Sequence, residues 1–256
     1  MELLFLGTCA CDYPPDLSSK FKGKFDFDAR RSSCALLDGR YLIDCGEHAL
    51  DSVAIAGVDV SKITDIFITH LHSDHFNAEH IETLAKRCAA GVRLWVQEAA
   101  VLPEIGGVEI KRMKYGETYG VNGALRVTGL NANHDRNAYP QHLYFETENE
   151  RFLYALDGAW LLNETYYFLK NKRLTMLVLD ATVGDYIGDY RIAEHNSIPM
   201  IRMMLPSLKK WGAITDVTKI YLSHLAPSLH KSHKETELIV QKDGLHVAYD
   251  GLRVEF

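Results

Sequence analysis

Four side chains of metal-binding type fall within six consecutive positions, at His70, His72, Asp74 and His75. Imidazole nitrogens and carboxylate oxygens bind divalent ions, and this spacing lets one pair chelate one ion while the other pair faces a second. The chain holds 12 histidines in 256 residues, so three of them clustered beside an aspartate is unusual for a solvated polar loop. The cluster therefore predicts a metal centre whose remaining ligands come from other parts of the chain.

The remaining ligands are expected at the carboxyl ends of strands, because the cluster itself follows a short apolar run at 65–68. His134, Asp157 and His224 each follow such a run. Each of them alone is more often a turn or cap residue. Together with the cluster they give seven ligands, which is enough for two ions that share one carboxylate.

The elements that position these residues can be predicted from hydrophobic periodicity and turn residues. Strands are predicted at 1–7, 33–37, 41–44, 65–68, 93–97, 108–112, 125–130, 143–146, 151–155, 176–180, 220–223, 245–248 and 253–256. Helices are predicted at 47–56, 78–90, 163–171, 197–211 and 232–242. Hairpins are predicted with turns at 38–39, 148–149 and 250–251. The segment from Cys9 to Ser32 is polar and shows little periodicity, which predicts a long surface loop.

The order of these elements predicts an α/β fold. Strands are followed by strand-helix units, and the same order returns in the second half of the chain. This order favours two sheets packed face to face with helices outside, an α/β/β/α layering. No linker or short repeat interrupts the pattern, so residues 1–256 are predicted to form one domain.

Composition and net charge limit the classes of molecule that this protein is expected to bind. The chain is 47% hydrophobic and 24% charged, as is typical of a globular protein. Its net charge of -6 disfavours a protein that holds extended nucleic acid, and no apolar stretch is long enough to span a membrane. Five scattered cysteines without a secretion signal favour a reducing cytoplasm over a disulfide framework. A small-molecule substrate is the expected partner, and a homodimer is left open.

The ordered motifs resemble those of the metallo-β-lactamase superfamily, from about residue 3 to the C-terminus. They are the stretches 42–46, 69–75, 157–158 and 223–224, together with His134. The resemblance implies a four-layer α/β/β/α sandwich of two mixed sheets. It also implies one metal on His70, His72 and His134, and another on Asp74, His75 and His224. Asp157 would bridge the two ions.

Asp44 matches the superfamily's strand-end aspartate, which usually orients ligand histidines. A turn or N-cap role before Gly46 is the competing interpretation of that residue. A cysteine ligand of the kind found in many true β-lactamases is expected near residue 180, where this chain has none. β-Lactamase activity and a periplasmic location are therefore disfavoured.

Two stretches resemble phosphodiesterases of the RNase Z and PhnP types. His195, in the stretch 193–196, resembles the additional histidine placed to protonate or hydrogen-bond the reacting phosphate; helix capping is the alternative. The stretch 223–233 resembles the C-terminal segment of PhnP-type enzymes, with phosphate-binding groups at His230, Lys231 and His233. A solvated loop with an N-cap serine explains that stretch equally well.

Two departures from these relatives stand out. Cys9 and Cys11 have no third cysteine three residues later, so a structural zinc there is not expected. The segment 16–29 instead alternates basic and aromatic residues, which indicates either a substrate lid or an edge strand. No long insertion resembles the tRNA-binding arm of RNase Z.

The resemblance implies a hydrolase with two divalent ions, which would be zinc, manganese or iron. A hydroxide bridging the ions would attack a small cyclic phosphodiester, with Asp74, Asp157 and His195 as the catalytic residues. A lactonase or thioesterase on the same fold is the main alternative, and an RNase Z-like nuclease is a weaker one.

Overall fold

Two seven-stranded mixed sheets form the centre of the molecule in the computed structural model, which describes residues 1–13, 17–88 and 91–256. The strands are β1 (Glu2–Gly7), β2 (Cys34–Leu37), β3 (Tyr41–Ile43), β4 (Asp65–Phe67), β5 (Val92–Gln97), β6 (Val108–Met113), β7 (Thr118–Gly120), β8 (Arg126–Asn131), β9 (Gln141–Glu146), β10 (Arg151–Ala155), β11 (Met176–Asp180), β12 (Lys219–Ser223), β13 (His246–Val247) and β14 (Arg253–Glu255). The α-helices are α1 (Leu17–Lys20), α2 (Ala49–Ile55), α3 (Ala78–Ala85), α4 (Asn163–Leu169), α5 (Ile198–Lys210) and α6 (His233–Val240).

Each sheet has an antiparallel part and a parallel part. The first runs β14-β1-β2-β3-β4-β5-β6 and becomes parallel from β3 onward. The second runs β13-β12-β11-β10-β9-β8-β7 and is parallel from β10 to β13. The predicted hairpins β2-β3 and β9-β10 are confirmed. In the parallel parts, neighbouring strands end at the same edge of a sheet, and side chains that follow them meet there.

Three apolar cores separate four layers. The central core lies between the sheets, where the rings of Phe67 and Phe145 meet edge to face with centroids 5.1 Å apart. A second core joins the first sheet to α2 and α3, and a third joins the second sheet to the remaining long helices. The predicted α/β/β/α sandwich is therefore confirmed.

Polar caps fix where the helices near the site begin. The Ser197 side chain accepts a hydrogen bond from the Met200 amide at the start of α5. Ser232 and Glu235 form a reciprocal capping box at the start of α6. Such caps stabilise a helix by about 1 kcal/mol each. Both long helices are thereby anchored at the ends of the loops that follow β11 and β12.

The predicted closing hairpin is wrong. β13 pairs with β12 in the second sheet, whereas β14 pairs with β1 in the first. The turn at Asp250 crosses between sheets, because its buried carboxylate accepts hydrogen bonds from the Thr8 hydroxyl and the Arg31 amide. Alternating side chains identify a strand but do not tell which sheet it joins.

Predictions for the segment 9–32 also need correction. In its described residues the edge strand is absent, and α1 is followed by turns. The ends of the segment, including Cys9 and Arg31, are buried, so it is a surface loop only in its middle. The Arg31 guanidinium contacts the middle of the segment: it donates a hydrogen bond to the Phe21 carbonyl oxygen and lies over the Phe25 ring. The predicted starting point of the basic and aromatic pattern, residue 16, lies outside the described residues.

Smaller differences concern the ends of elements. α3 ends at Ala85 rather than 90, and positions 89–90 lie outside the described residues. β7 is an additional short strand that no periodicity predicted. In the described ranges, no helix is both long and apolar enough to cross a membrane.

Candidate metal centre

The seven predicted ligands lie together where strands of both sheets end. The loop after β4 carries His70, His72, Asp74 and His75, and the other three residues follow β8, β10 and β12. Six of the seven are buried, and only His72 is partly exposed. His70 and His224, which are 154 positions apart in the chain, thus contribute to one cluster, which requires both sheets to be folded.

One group contains the three histidines His70, His72 and His134. His72 Nδ1 lies 3.0 Å from His70 Nε2 and 3.1 Å from His134 Nε2. Asp157 Oδ1 faces this group, 3.9 Å from His70 Nε2 and 3.7 Å from His134 Nε2. The ring nitrogens therefore point toward a common centre next to one oxygen of Asp157.

The second group contains Asp74, His75 and His224. His75 Nε2 is 3.3 Å from His224 Nε2 and 3.3 Å from Asp74 Oδ2. Asp157 Oδ2 lies 3.0 Å from His75 Nε2 and 3.1 Å from His224 Nε2. The two oxygens of Asp157 thus face different groups, as expected of a carboxylate that two cations share.

The donor set fits divalent ions. Zn–N bonds of about 2.0–2.1 Å place ligand atoms around one tetrahedral ion roughly 3.3 Å apart, close to the separations in both groups. Asp157 Oδ2 is buried and has no geometrically acceptable hydrogen bond within the described residues. A buried carboxylate oxygen without such a bond is costly unless a cation satisfies it. Zinc, manganese and iron all accept such a set of imidazoles and carboxylates.

Charge in the cluster is balanced by strong mutual effects on pKa. Burial raises the pKa of Asp157, but the imidazoles of His224, His75 and His70 outweigh it and hold that pKa well below its usual value. Burial lowers the pKa of His224, but Asp157, Asp180 and Asp74 outweigh it and raise that pKa to about 10. In the metal-free protein, protons on imidazoles thus compensate the carboxylates, a role that bound cations would take over.

Asp44 lies beside the cluster and contacts one of its histidines. Asp44 Oδ2 is 2.7 Å from His75 Nδ1, and Asp44 Oδ1 accepts a hydrogen bond of 2.8 Å from the Thr69 amide. The Thr69 hydroxyl donates to the same carboxylate. His48 occupies the N-cap position of α2, so Asp44 does not cap that helix. The next glycine, Gly46, is required because a Cβ there would lie 1.8 Å from the carbonyl oxygen of Asp74.

Asp180 also lies at the site, although it is not among the predicted site residues. It ends β11, and its Oδ2 lies 2.9 Å from His195 Nδ1 and 3.4 Å from His224 Nδ1. Thr182 Oγ1 is 2.8 Å from His224 Nδ1. The rule that identified Asp157, an aspartate that follows or ends an apolar strand, applies equally to Asp180.

His195 lies at the edge of both groups. Its ring centroid is 5.0 Å from that of His134 and 5.4 Å from that of His224. Its Nδ1 is held by Asp180, which leaves Nε2 as the nitrogen without a partner among the described residues. The N-cap of α5 is Ser197, so helix capping does not account for His195.

The predicted phosphate-binding residues His230, Lys231 and His233 do not join the cluster. His230 Nε2 donates a hydrogen bond to the Ala181 carbonyl oxygen at 2.7 Å, behind the loop that carries Thr182. His233 contacts the Arg30 guanidinium, and Lys231 is exposed. These residues therefore lie behind the cluster rather than inside it.

Comparisons with known sequences match parts of the chain. The model of a family described as "Anti-Pycsar protein Apyc1" matches residues 34–95. Ribonuclease Z of Methanothermobacter thermautotrophicus is 42% identical over 77 residues, or 29% of this chain and 21% of that protein. The chain thus covers about a fifth of the length of the curated relatives it matches.

Comparisons with solved structures cover the whole chain. A diphosphatase from the PhnP family superposes with a TM-score of 0.73 at 21% identity, over 100% of this chain and 96% of that one. The metallo-β-lactamase fold protein YhfI from Bacillus subtilis superposes with a TM-score of 0.74 at 13% identity, over 100% and 99%. Together with the two sheets and the strand-end cluster, these likenesses show that the chain has the metallo-β-lactamase fold.

Proposed function

We propose that this protein is a metal-dependent phosphodiesterase with two divalent ions, acting on a small cyclic phosphodiester. The observation that carries the proposal is the Asp180–His195 pair beside the seven convergent ligands. Metal ligands alone suit any hydrolysis on this fold. A histidine held by a carboxylate, with one nitrogen left for the substrate, additionally suits a reaction that expels a poorly stabilised alkoxide.

Each part of the site has a role in this reaction. Two ions held by the seven ligands would lower the pKa of an attacking water and neutralise charge on the phosphoryl oxygens. Asp157 sets the separation of the two groups, and Asp74 completes the second. His195 donates the proton that the leaving oxygen needs, and Asp180 keeps its Nδ1 engaged so that Nε2 faces outward.

The comparisons support phosphate chemistry over the alternatives. The named relatives include a PhnP-family diphosphatase and Ribonuclease Z, both of which process phosphate esters or anhydrides according to their names. A thioesterase expels a thiolate, which leaves without a proton, and would have no need of His195. A lactonase also expels an alkoxide, so the names of these relatives, and not His195, favour a phosphodiester over a lactone. An RNase Z-like activity would require binding a large polyanion, which the net charge of -6 disfavours. We therefore place a small phosphorylated molecule ahead of a nucleic acid.

A change of His195 to alanine tests the proton donor. Removal of a general acid should lower kcat by about 10²–10⁴-fold for a cyclic diester with an alkoxide leaving group. The loss should be much smaller with bis-p-nitrophenyl phosphate, because nitrophenolate leaves without a proton. Metal content, measured by mass spectrometry, should stay at the wild-type value. The exposed His246, changed to alanine, is the matched control.

Equal losses with both leaving groups would remove His195 from the role of proton donor. A panel of cyclic diester, lactone, thioester and precursor tRNA tests the reaction class on the wild-type protein. Turnover of the lactone or thioester above that of the diester would overturn the proposed function.

A further inference from the structure

A small cavity behind the loop after β12 has a buried guanidinium in its wall. The cavity measures about 170 Å³, which is several times the roughly 30 Å³ that a water molecule occupies and enough for a tetrahedral oxyanion. The residues that line it are Asp28, Arg30, Leu225, Pro227, His230, Lys231 and Ser232. Arg30 is only 4% exposed, so its charge is almost completely removed from solvent.

Among the residues that the structure describes, the direct hydrogen-bond partners of the Arg30 guanidinium are a hydroxyl, a carbonyl oxygen and an imidazole. Its Nη1 donates to Thr8 Oγ1 at 2.7 Å and to the Ala248 carbonyl oxygen, and its Nη2 lies 3.2 Å from His233 Nδ1. The nearby Asp250 uses its oxygens for the Thr8 hydroxyl and the Arg31 amide instead. The Thr8 hydroxyl that accepts from Arg30 donates to Asp250, so the charge of the buried guanidinium is balanced through one intervening hydroxyl, and a directly bound anion would stabilise it further.

The start of α6 does not provide the donors of this cavity. Asp28 Oδ1 already accepts the His233 amide, and Ser232 is engaged in its capping box with Glu235. Lys231 is exposed. The available cationic groups are therefore Arg30 and Lys231, opposed by the single carboxylate of Asp28 in the cavity wall.

The cavity shares a wall with the metal centre. Leu225, which lines it, follows the ligand His224 directly. His230 lines it from another side and donates its hydrogen bond to Ala181, next to Thr182. An anion bound here would lie on the far side of the segment that positions His224, outside the ligand cluster.

We propose that this cavity is an anion site for a phosphate-type oxyanion, bound between the guanidinium of Arg30 and the ammonium of Lys231. The anion has two possible sources: a second phosphate group on the substrate, or free inorganic phosphate. The first source rests on the proposed function, and the second does not. In both, Arg30 supplies planar donors suited to two oxygens and Lys231 supplies a mobile point charge.

Calorimetric titration with inorganic phosphate tests the site in the full-length protein. Phosphate bound at the metal centre is separated by repeating the titration in an Asp157→Asn background. The binding event that persists there should weaken about tenfold in Lys231→Gln, the loss expected for one charge-assisted contact. It should tighten several-fold in Asp28→Asn, which removes the opposing charge. Lys234→Gln, an exposed change on α6, is the matched control and should have no effect.

Absence of a saturable event in the Asp157→Asn background, or equal affinities in Lys231→Gln and Asp28→Asn, would overturn the site. Both substitutions are at exposed positions, so the outcome does not depend on a variant of the buried Arg30 that fails to fold. Because the titration measures binding alone, its result stands whether or not the protein hydrolyses a diester.

Kinetics distinguish the two sources. The ratio of kcat/KM for a cyclic diester with an additional phosphomonoester to that for one without it should fall about tenfold in Lys231→Gln if the substrate supplies the anion. An unchanged ratio, with the phosphate titration still altered by Lys231→Gln, assigns the site to free phosphate.

Discussion

The two sheets position their candidate metal ligands in the same way, with an aspartate and a threonine behind a histidine. On the first sheet, Asp44 and Thr69 contact Nδ1 of His75. On the second, Asp180 and Thr182 lie against Nδ1 of His224. In both, the Nε2 atom of the histidine points at Asp157 Oδ2. The ring orientation is thereby fixed before any ion binds.

The two aspartates differ in the other residues that they contact. Asp44 serves only residues of the ligand loop, whereas Asp180 also binds Nδ1 of His195 and the amide of Asn196 at the start of the α5 region. The first sheet thus contacts one candidate ligand, and the second contacts a candidate ligand together with the proposed proton donor. If the proposed function holds, metal binding would depend on both sheets, while proton transfer would depend on the second alone.

The largest loss of metal binding and hydrolysis is expected from a change at Asp157, the residue that both groups of candidate ligands face. Asp157→Asn removes the negative charge that both groups face, so we expect loss of metal at both positions and loss of hydrolysis. The effect should exceed the 10–100-fold reduction typical of residues behind the ligands. Metal analysis and diester turnover measure it. Retention of one ion with full turnover would show that Asp157 serves only one group.

Asp44→Asn and Asp180→Asn test the difference between the two sides directly. Both should weaken metal binding by about 10–100-fold, because each orients a ligand histidine. At saturating metal, only Asp180→Asn should still have a reduced kcat for the cyclic diester, since only Asp180 holds His195. Identical kcat values for the two variants at saturating metal would mean that Asp44 and Asp180 contribute to turnover in the same way.

A smaller effect concerns the loss of stability in acid, to which a buried histidine of the second sheet, His142, should contribute. His142 on β9 is 1% exposed, and neither ring nitrogen has a hydrogen-bond partner within the described residues. Burial lowers its pKa to about 4, so this imidazole is neutral in the folded protein. The unfolded chain, with a pKa near 6.5, takes up the proton first as pH falls. This residue should therefore reduce the unfolding free energy by about 2 kcal/mol between pH 7 and pH 5.

Urea unfolding of wild type, His142→Phe and the exposed control His246→Gln at both pH values measures this contribution. His142→Phe should lose less stability on acidification than the other two proteins. Equal acid sensitivity in all three would show that His142 is not neutral in the fold.

The sequence was sufficient for the parts of the molecule that depend on local pattern. Periodicity predicted most strands and the long helices, and the strand-end rule found the residues that the structure brings into the cluster. It did not tell which sheet β13 and β14 join, because the buried contacts of Asp250 with Thr8 and Arg31 are long-range. The sequence did not predict the burial of Arg30 either, because residues that surround it are more than 200 positions away in the chain.

Three of the residues around the metal centre adopt a backbone conformation that side chains other than glycine rarely favour. The φ angles of Asp44, Asp157 and His224 are 62°, 51° and 56°. A left-handed residue costs about 1–2 kcal/mol, less for aspartate, and alanine at these positions would retain that cost after the functional group is removed. Glycine would remove both. Glycine would also make the unfolded chain more flexible, so neither substitution alone isolates the side chain. Measuring the alanine and glycine variants together at each position separates the backbone cost from the loss of the functional group.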